Sequence, residues 1–175
     1  LLARESFDFV LGSVHPHLAI YQQWFADHGV DSDDERQRVF WRHMAEAATC
    51  GRYDAITHAD VVRCHGTLQA FDPATHEEGI ATFLDTLKQA GLCLEINASG
   101  LFRPFQAPHP HPIILRQAAA RDVPLVVGSD AHQPDRVGQG FDHIAALLVE
   151  LGWSSVHVFH QRQRTPMAIT ADETC

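Results

Sequence analysis

The sequence predicts an α/β fold built on a parallel sheet. Three observations carry this. Five short apolar runs alternate with helix-like stretches. One run, Leu125-Val126-Val127, is almost wholly apolar, as a strand covered on both faces should be. Each helix-like stretch also keeps its apolar residues on one face and ends at a glycine or a polar turn. Alternation of this kind implies strand–helix–strand units.

The elements follow in order. Residues 7–14 form the first strand. Asp31, Ser32, Asp33, Asp34 and Glu35 supply a helix start, Val39, Phe40, Met44, Ala47 and Ala48 recur at helical spacing, and Gly51 ends the run. Residues 53–57 make a second strand. Pro73 opens a helix with Ile80, Phe83, Leu84 and Leu87 on one face, and Gly91 stops it. Residues 92–96 are a third strand. Pro112 begins a helix through Ile113, Ile114, Leu115 and Ala118 that ends near Asp122. The fourth strand is 125–127, a helix follows from about Phe141 to Leu151, and 156–159 is a last short strand. Segments 16–29, 61–72 and 100–111 read as irregular.

Composition bounds the function. The 175 residues carry 13 Lys and Arg against 22 Asp and Glu, a net charge of −9. That balance argues against a nucleic-acid partner, which calls for a basic footprint. No apolar run is long enough for a membrane helix, and the start has no secretory pattern. Cys50, Cys64, Cys93 and Cys175 are widely spaced, with no C-x-x-C pair, and read as free thiols in a reducing cytoplasm.

The strand ends hold the chemistry. The first strand leads to Ser13-Val14-His15, the second to Thr57-His58-Ala59-Asp60, the third to Asn97-Ala98-Ser99-Gly100 and the fourth to Gly128-Ser129-Asp130-Ala131-His132. Ligands of parallel α/β proteins gather at the carboxyl ends of strands. Imidazole and carboxylate are ligands of catalytic zinc, iron and manganese. His15, His58, Asp130 and His132 are therefore expected as a metal site, with Asp130 and His132 on one side of an extended segment. Arg63 and Arg103, in the loops after the second and third strands, are expected over the site as phosphate binders, with Arg136 as a third cation. His17 and His65 lie near the site edge. Pro108-His109-Pro110-His111-Pro112 reads as a rigid surface turn. Ser13 and Ser129 read as backbone caps, since no nucleophile elbow or nucleotide loop is present.

These strand ends, taken together with residues 7–15, resemble the PHP (polymerase and histidinol phosphatase) family, above all its histidinol-phosphate phosphatase branch. The tail, with Arg162-Gln163-Arg164-Thr165-Pro166, is similar to that branch's C-terminus. The resemblance implies a distorted (β/α)7 barrel, of which this chain is the C-terminal part, with about five strands. It implies up to three divalent ions (Zn, Mn or Fe), with His15 and His58 on one, Asp130 on a second and His132 on a third. It implies hydrolysis of a small phosphorylated substrate, histidinol phosphate, in histidine biosynthesis. Asp130 and His132 would act through a metal-activated water, and Arg63 and Arg103 would hold phosphate. Other readings are a PHP phosphoesterase with another substrate and an inactive metal-binding module. The family's Asp-x-His-x-His motif is absent and the chain begins without methionine, so residues 1–175 are expected to be a single domain lacking an N-terminal barrel segment.

Overall fold

The computed structural model describes residues 5–64 and 71–169. Four strands, β1 (Leu11–Gly12), β2 (Ala55–Ile56), β3 (Cys93–Asn97) and β4 (Leu125–Gly128), form one sheet in that order, every pair parallel. Between β1 and β2 run helices α1 (Ala19–Asp27) and α2 (Asp33–Thr49). Helix α3 (Glu77–Ala90) joins β2 to β3, and α4 (Pro112–Ala119) joins β3 to β4. Helix α5 (Phe141–Glu150) then leads to an antiparallel hairpin, β5 (Ser155–His160) and β6 (Gln163–Ala168). The parallel α/β architecture is as expected.

Local chemistry explains three helix ends. Ser32 accepts a hydrogen bond from the Glu35 backbone N–H and starts α2, with Asp33, Asp34 and Glu35 in the first turn, where the helix dipole favours acids. Gly91, at φ 70°, closes α3 in the left-handed conformation that glycine adopts without strain. His111 caps α4 through its ring nitrogen, followed by Pro112 in the first turn.

The sheet is covered on both faces. Ile56, Leu94, Ile96 and Leu125 point into the main core, against Phe40, Trp41 and Met44 of α2 and Ile80, Phe83, Leu84 and Leu87 of α3. Ala55, Cys93 and Val126, one residue out of step, point the other way onto Phe9 and Phe159, whose rings stack at 4.8 Å. Alternation of period two thus assigns each strand residue to one of two cores. Each fully buried Leu, Ile or Phe contributes roughly 1.5–3 kcal/mol of transfer free energy.

Several expectations need correction. The first strand is two residues long, because only Leu11 and Gly12 register with β2. Segment 16–29 contains α1, anchored by Phe25 in a small cluster with Val30 and Val39. The last strand does not join the parallel sheet. It pairs with the tail 163–168, and the hairpin tip reaches the amino ends of β1 and β2. There Gln161 and Arg162 donate backbone N–H groups to Asp8, and the Arg162 guanidinium grips the Asp54 carboxylate. A polar, Pro-containing tail gives no strand signal on its own, and a hydrogen-bonded neighbour supplies it.

Candidate metal and phosphate site

The opposite, carboxyl edge of the sheet holds a cavity of about 250 Å³. His15, three residues past β1, His58, two past β2, and Asp130 and His132, beyond β4, all line it. The His15 and His58 rings lie 4.9 Å apart, and His17 meets His15 edge-on at 5.3 Å. All four expected ligand positions therefore face one space. Asp130 and His132 reach it differently from the expectation: Asp130 sits at φ 53°, in a left-handed turn rather than an extended segment. His58 also has positive φ, at 27°. Such conformations cost a non-glycine residue of order 1–3 kcal/mol and cluster where function demands them.

The His15 and His58 imidazoles keep a nitrogen that no protein group engages. The Nδ1 atoms of His15 and His58 are buried with no hydrogen-bond partner. Burial lowers both imidazoles below their ordinary titration range, and the neighbouring histidines push His15 further down. Each is then neutral at neutral pH, with a lone pair turned to no protein donor. A buried unsatisfied nitrogen costs about 1–3 kcal/mol. An ion of zinc type, which takes imidazole nitrogen and carboxylate oxygen, fits this donor set. Among the described residues, however, no three His, Cys, Asp or Glu side chains are grouped closely enough to hold an ion by themselves.

A second cavity, of about 340 Å³, adjoins the first, sharing Ser99, Arg103, Asp130 and His132. Its far wall includes Arg136. Ser99 donates its hydroxyl to Asp130 at 3.3 Å and so links the β3 and β4 ends. Arg103, exposed and lining both cavities, is placed where an anion beside the ligand cluster would meet it.

Arg63 is not. Its guanidinium donates to the Asp60 carboxylate at 2.9 Å and to the Pro108 carbonyl at 3.0 Å, and lies 4.0 Å over the Phe105 ring. It lines neither cavity, contrary to the expectation of an arginine hanging over the site. The reason is Asp60, which is completely buried and takes the guanidinium as its counter-charge. His65 lies outside the described residues.

His109 also departs from expectation. It is 1% exposed rather than on a surface turn. Its backbone pairs with Asn97, its Nδ1 bonds Asp60, and its Nε2 lies 3.3 Å from the Cys64 sulfur. Burial alone would lower this imidazole, but Asp60 and Cys64 outweigh it and raise it to about 9. Asp60 likewise resists its own burial: His109 and Arg63 hold its carboxyl below the usual carboxylate range.

Two acids were missed. Glu95, buried on β3, accepts from the Thr57 hydroxyl, the His58 backbone N–H at 3.2 Å and the Asn97 amide at 3.0 Å. Burial raises its carboxyl. It ties the carboxyl end of β2, and hence His58, to β3. Asn97 is spent on Glu95 and on the Ser99 backbone, and does not line the cavity. The Glu95 side chain lies against Gly128, where a Cβ would overlap the carboxylate. The signal for Asp60 was its place two residues after His58. For Glu95 it was an acid inside an apolar strand.

Comparison with known proteins follows this geometry. No family model matches the chain. A curated protein of Deinococcus radiodurans named "Probable histidinol-phosphatase" is 32% identical over 173 residues, covering 94% of this chain and 62% of its own length. The chain is similar to histidinol phosphatases. A crystal structure of histidinol phosphate phosphatase from Lactococcus lactis, complexed with Zn, L-histidinol and phosphate, matches with a TM-score of 0.75 at 20% identity, over 94% of this chain and 64% of that one. A histidinol phosphatase candidate from Listeria monocytogenes matches with a TM-score of 0.60 at 18% identity, over 76% of this chain and 56% of that one. The chain thus spans less than two thirds of each relative. At these identities the solved structures establish a shared fold.

Proposed function

We propose that this chain is part of a metal-dependent phosphomonoester hydrolase of PHP type, acting on histidinol phosphate in histidine biosynthesis. One observation carries the reading. His15, His58, Asp130 and His132 leave the ends of three different strands and still face one cavity, two of them with buried, partnerless nitrogens. Similarity to the Deinococcus protein and to the zinc-, histidinol- and phosphate-bound Lactococcus enzyme supports the choice of substrate.

His15, His58, Asp130 and His132 would hold divalent zinc, manganese or iron, up to three ions in a complete PHP-type barrel, of which this sheet would be the C-terminal arc. Such ions supply a hydroxide nucleophile at neutral pH and neutralise charge on phosphorus. The chain's own residues do the rest. Arg103 orients the phosphate from the shared wall of the two cavities, and Arg136 borders the space left for the remainder of the substrate. Ser99 steadies Asp130. Arg63 acts one step back, by neutralising Asp60, and would bind phosphate only if released from it. Among the described residues no helix is long and apolar enough to cross a membrane. Cys50, Cys64 and Cys93 are free thiols, which persist in the cytoplasm, where we place the protein.

The test is phosphate release by the protein from histidinol phosphate, set against a panel of phosphomonoesters with zinc or manganese. A preference for histidinol phosphate, lost by about 100-fold or more in Asp130→Ala, is expected. Equal rates across the panel would sink the substrate assignment. Among the described residues no closed three-ligand group stands, so the second reading is an inactive module that keeps only part of a metal site. Zinc bound with no phosphate release from any ester would select it.

A further inference from the structure

Cys64, His109 and Asp60 form a chain of contacts that metal binding and phosphate hydrolysis do not use. The Cys64 sulfur lies 3.3 Å from His109 Nε2, and His109 Nδ1 bonds Asp60 Oδ1. The other Asp60 oxygen accepts from Arg63 and from the His111 backbone N–H at 2.7 Å. Asp60 and His109 are buried together, with Asp60 Oδ1 held against His109 Nδ1. With Nδ1 spent on the carboxylate, the ring presents Nε2 to the sulfur. A cysteine next to a carboxylate-oriented imidazole is the arrangement that activates thiol nucleophiles. Cys64 is also placed to react. It is half-buried and lines the 250 Å³ cavity. The same cavity is lined by His58, 8% exposed, whose Nδ1 has no hydrogen-bond partner.

We propose that Cys64 is a covalent modification site, a nucleophilic sulfur that hands its proton to His109, itself oriented by Asp60, as it attacks peroxides and small alkylating electrophiles entering this cavity. With a peroxide, the sulfur attacks one oxygen and the O–O bond breaks. Sulfur is oxidised to the sulfenic acid, and the departing hydroxide takes a proton from His109 and leaves as water. With a haloacetamide, a C–S bond forms, halide leaves, and the proton stays on His109. Either adduct stands in the cavity beside the imidazole cluster.

Cys50, exposed, and Cys93, buried, are internal references in the same chain. The native protein is pulsed with iodoacetamide, or with hydrogen peroxide plus a sulfenic-acid trap, and each cysteine is read by peptide mass spectrometry. Cys64 should react about tenfold faster than Cys50 although it is less exposed, because an unassisted thiol is only a few per cent thiolate at neutral pH. In urea the two rates should converge. His109→Gln should bring Cys64 down to the Cys50 rate or below. A native Cys64 no faster than Cys50, or a rate unchanged by His109→Gln, overturns the proposal. Where that variant does not fold, the native-to-urea ratio of Cys64 decides, and a ratio at or below one refutes it.

Discussion

Two polar clusters share one cavity and differ in how their hydrogen bonds are met. In the Asp60 network each functional atom has a partner: both carboxylate oxygens, both His109 nitrogens and the inner Arg63 nitrogen are engaged. In the other cluster the His15 and His58 Nδ1 atoms have none, and His58 and Asp130 sit at positive φ. The first cluster resembles a structural brace, the second a set of donor atoms without protein partners. A fold gains from the first and tolerates the second only where the rest of the structure offsets it.

The sharpest way to break this contrast is Asp60→Ala. It leaves the buried His109 imidazolium and the Arg63 guanidinium without their counter-charge. Losing one side of a buried pair costs about 3–5 kcal/mol, readable by urea unfolding. A loss under about 1 kcal/mol would mean that the network is not a brace.

The pH dependence of stability should separate the clusters by sign. His109 is raised from 6.5 to about 9 in the fold, so the folded state binds more protons than the unfolded state between those values. Its contribution is full below pH 6.5 and is lost as pH rises through about 9. His15 and His58 are lowered by burial, so the unfolded state binds more protons just below 6.5, and stability falls as pH drops there. His109→Gln should flatten the alkaline limb of a stability–pH curve, and His58→Gln the acidic limb. Equal effects of both variants on one limb would contradict the assignment.

The smallest stability change belongs to His58→Ala. Removing a buried nitrogen that has no partner relieves a penalty that offsets much of the lost packing, so the net change should stay within about 1 kcal/mol. Zinc affinity, followed by competition with a chelator, should nevertheless fall by about tenfold or more. A large destabilisation with zinc binding intact would place His58 in the brace instead.

Much of this was legible in the chain. The strand–helix alternation, the start of α2 at Ser32 and the stop of α3 at Gly91 follow from local patterns, because capping and amphipathic spacing act over a few residues. Helix α1 was not legible: its apolar residues do not gather on one face, Ile20 being exposed, and Phe25 is held by packing on Val30 and Val39. The β5–β6 hairpin was not legible either, since its tail is stabilised by a partner strand and by Asp8 and Asp54, far away in sequence.

The site divides the same way. Sequence alone determined that His15, His58, Asp130 and His132 stand at strand ends, because strand direction and parallel pairing oblige the carboxyl ends to gather on one edge. Only the tertiary structure decided what each charged or polar neighbour does there. Arg63 and Arg103 look alike in sequence, yet a buried carboxylate claims the first and leaves the second at the cavity. His109, read as a surface residue among prolines, is drawn inside by that same carboxylate. The physical reason is that a buried charge must be paired, and the pairing partner is chosen by proximity in space, which spacing along the chain does not encode.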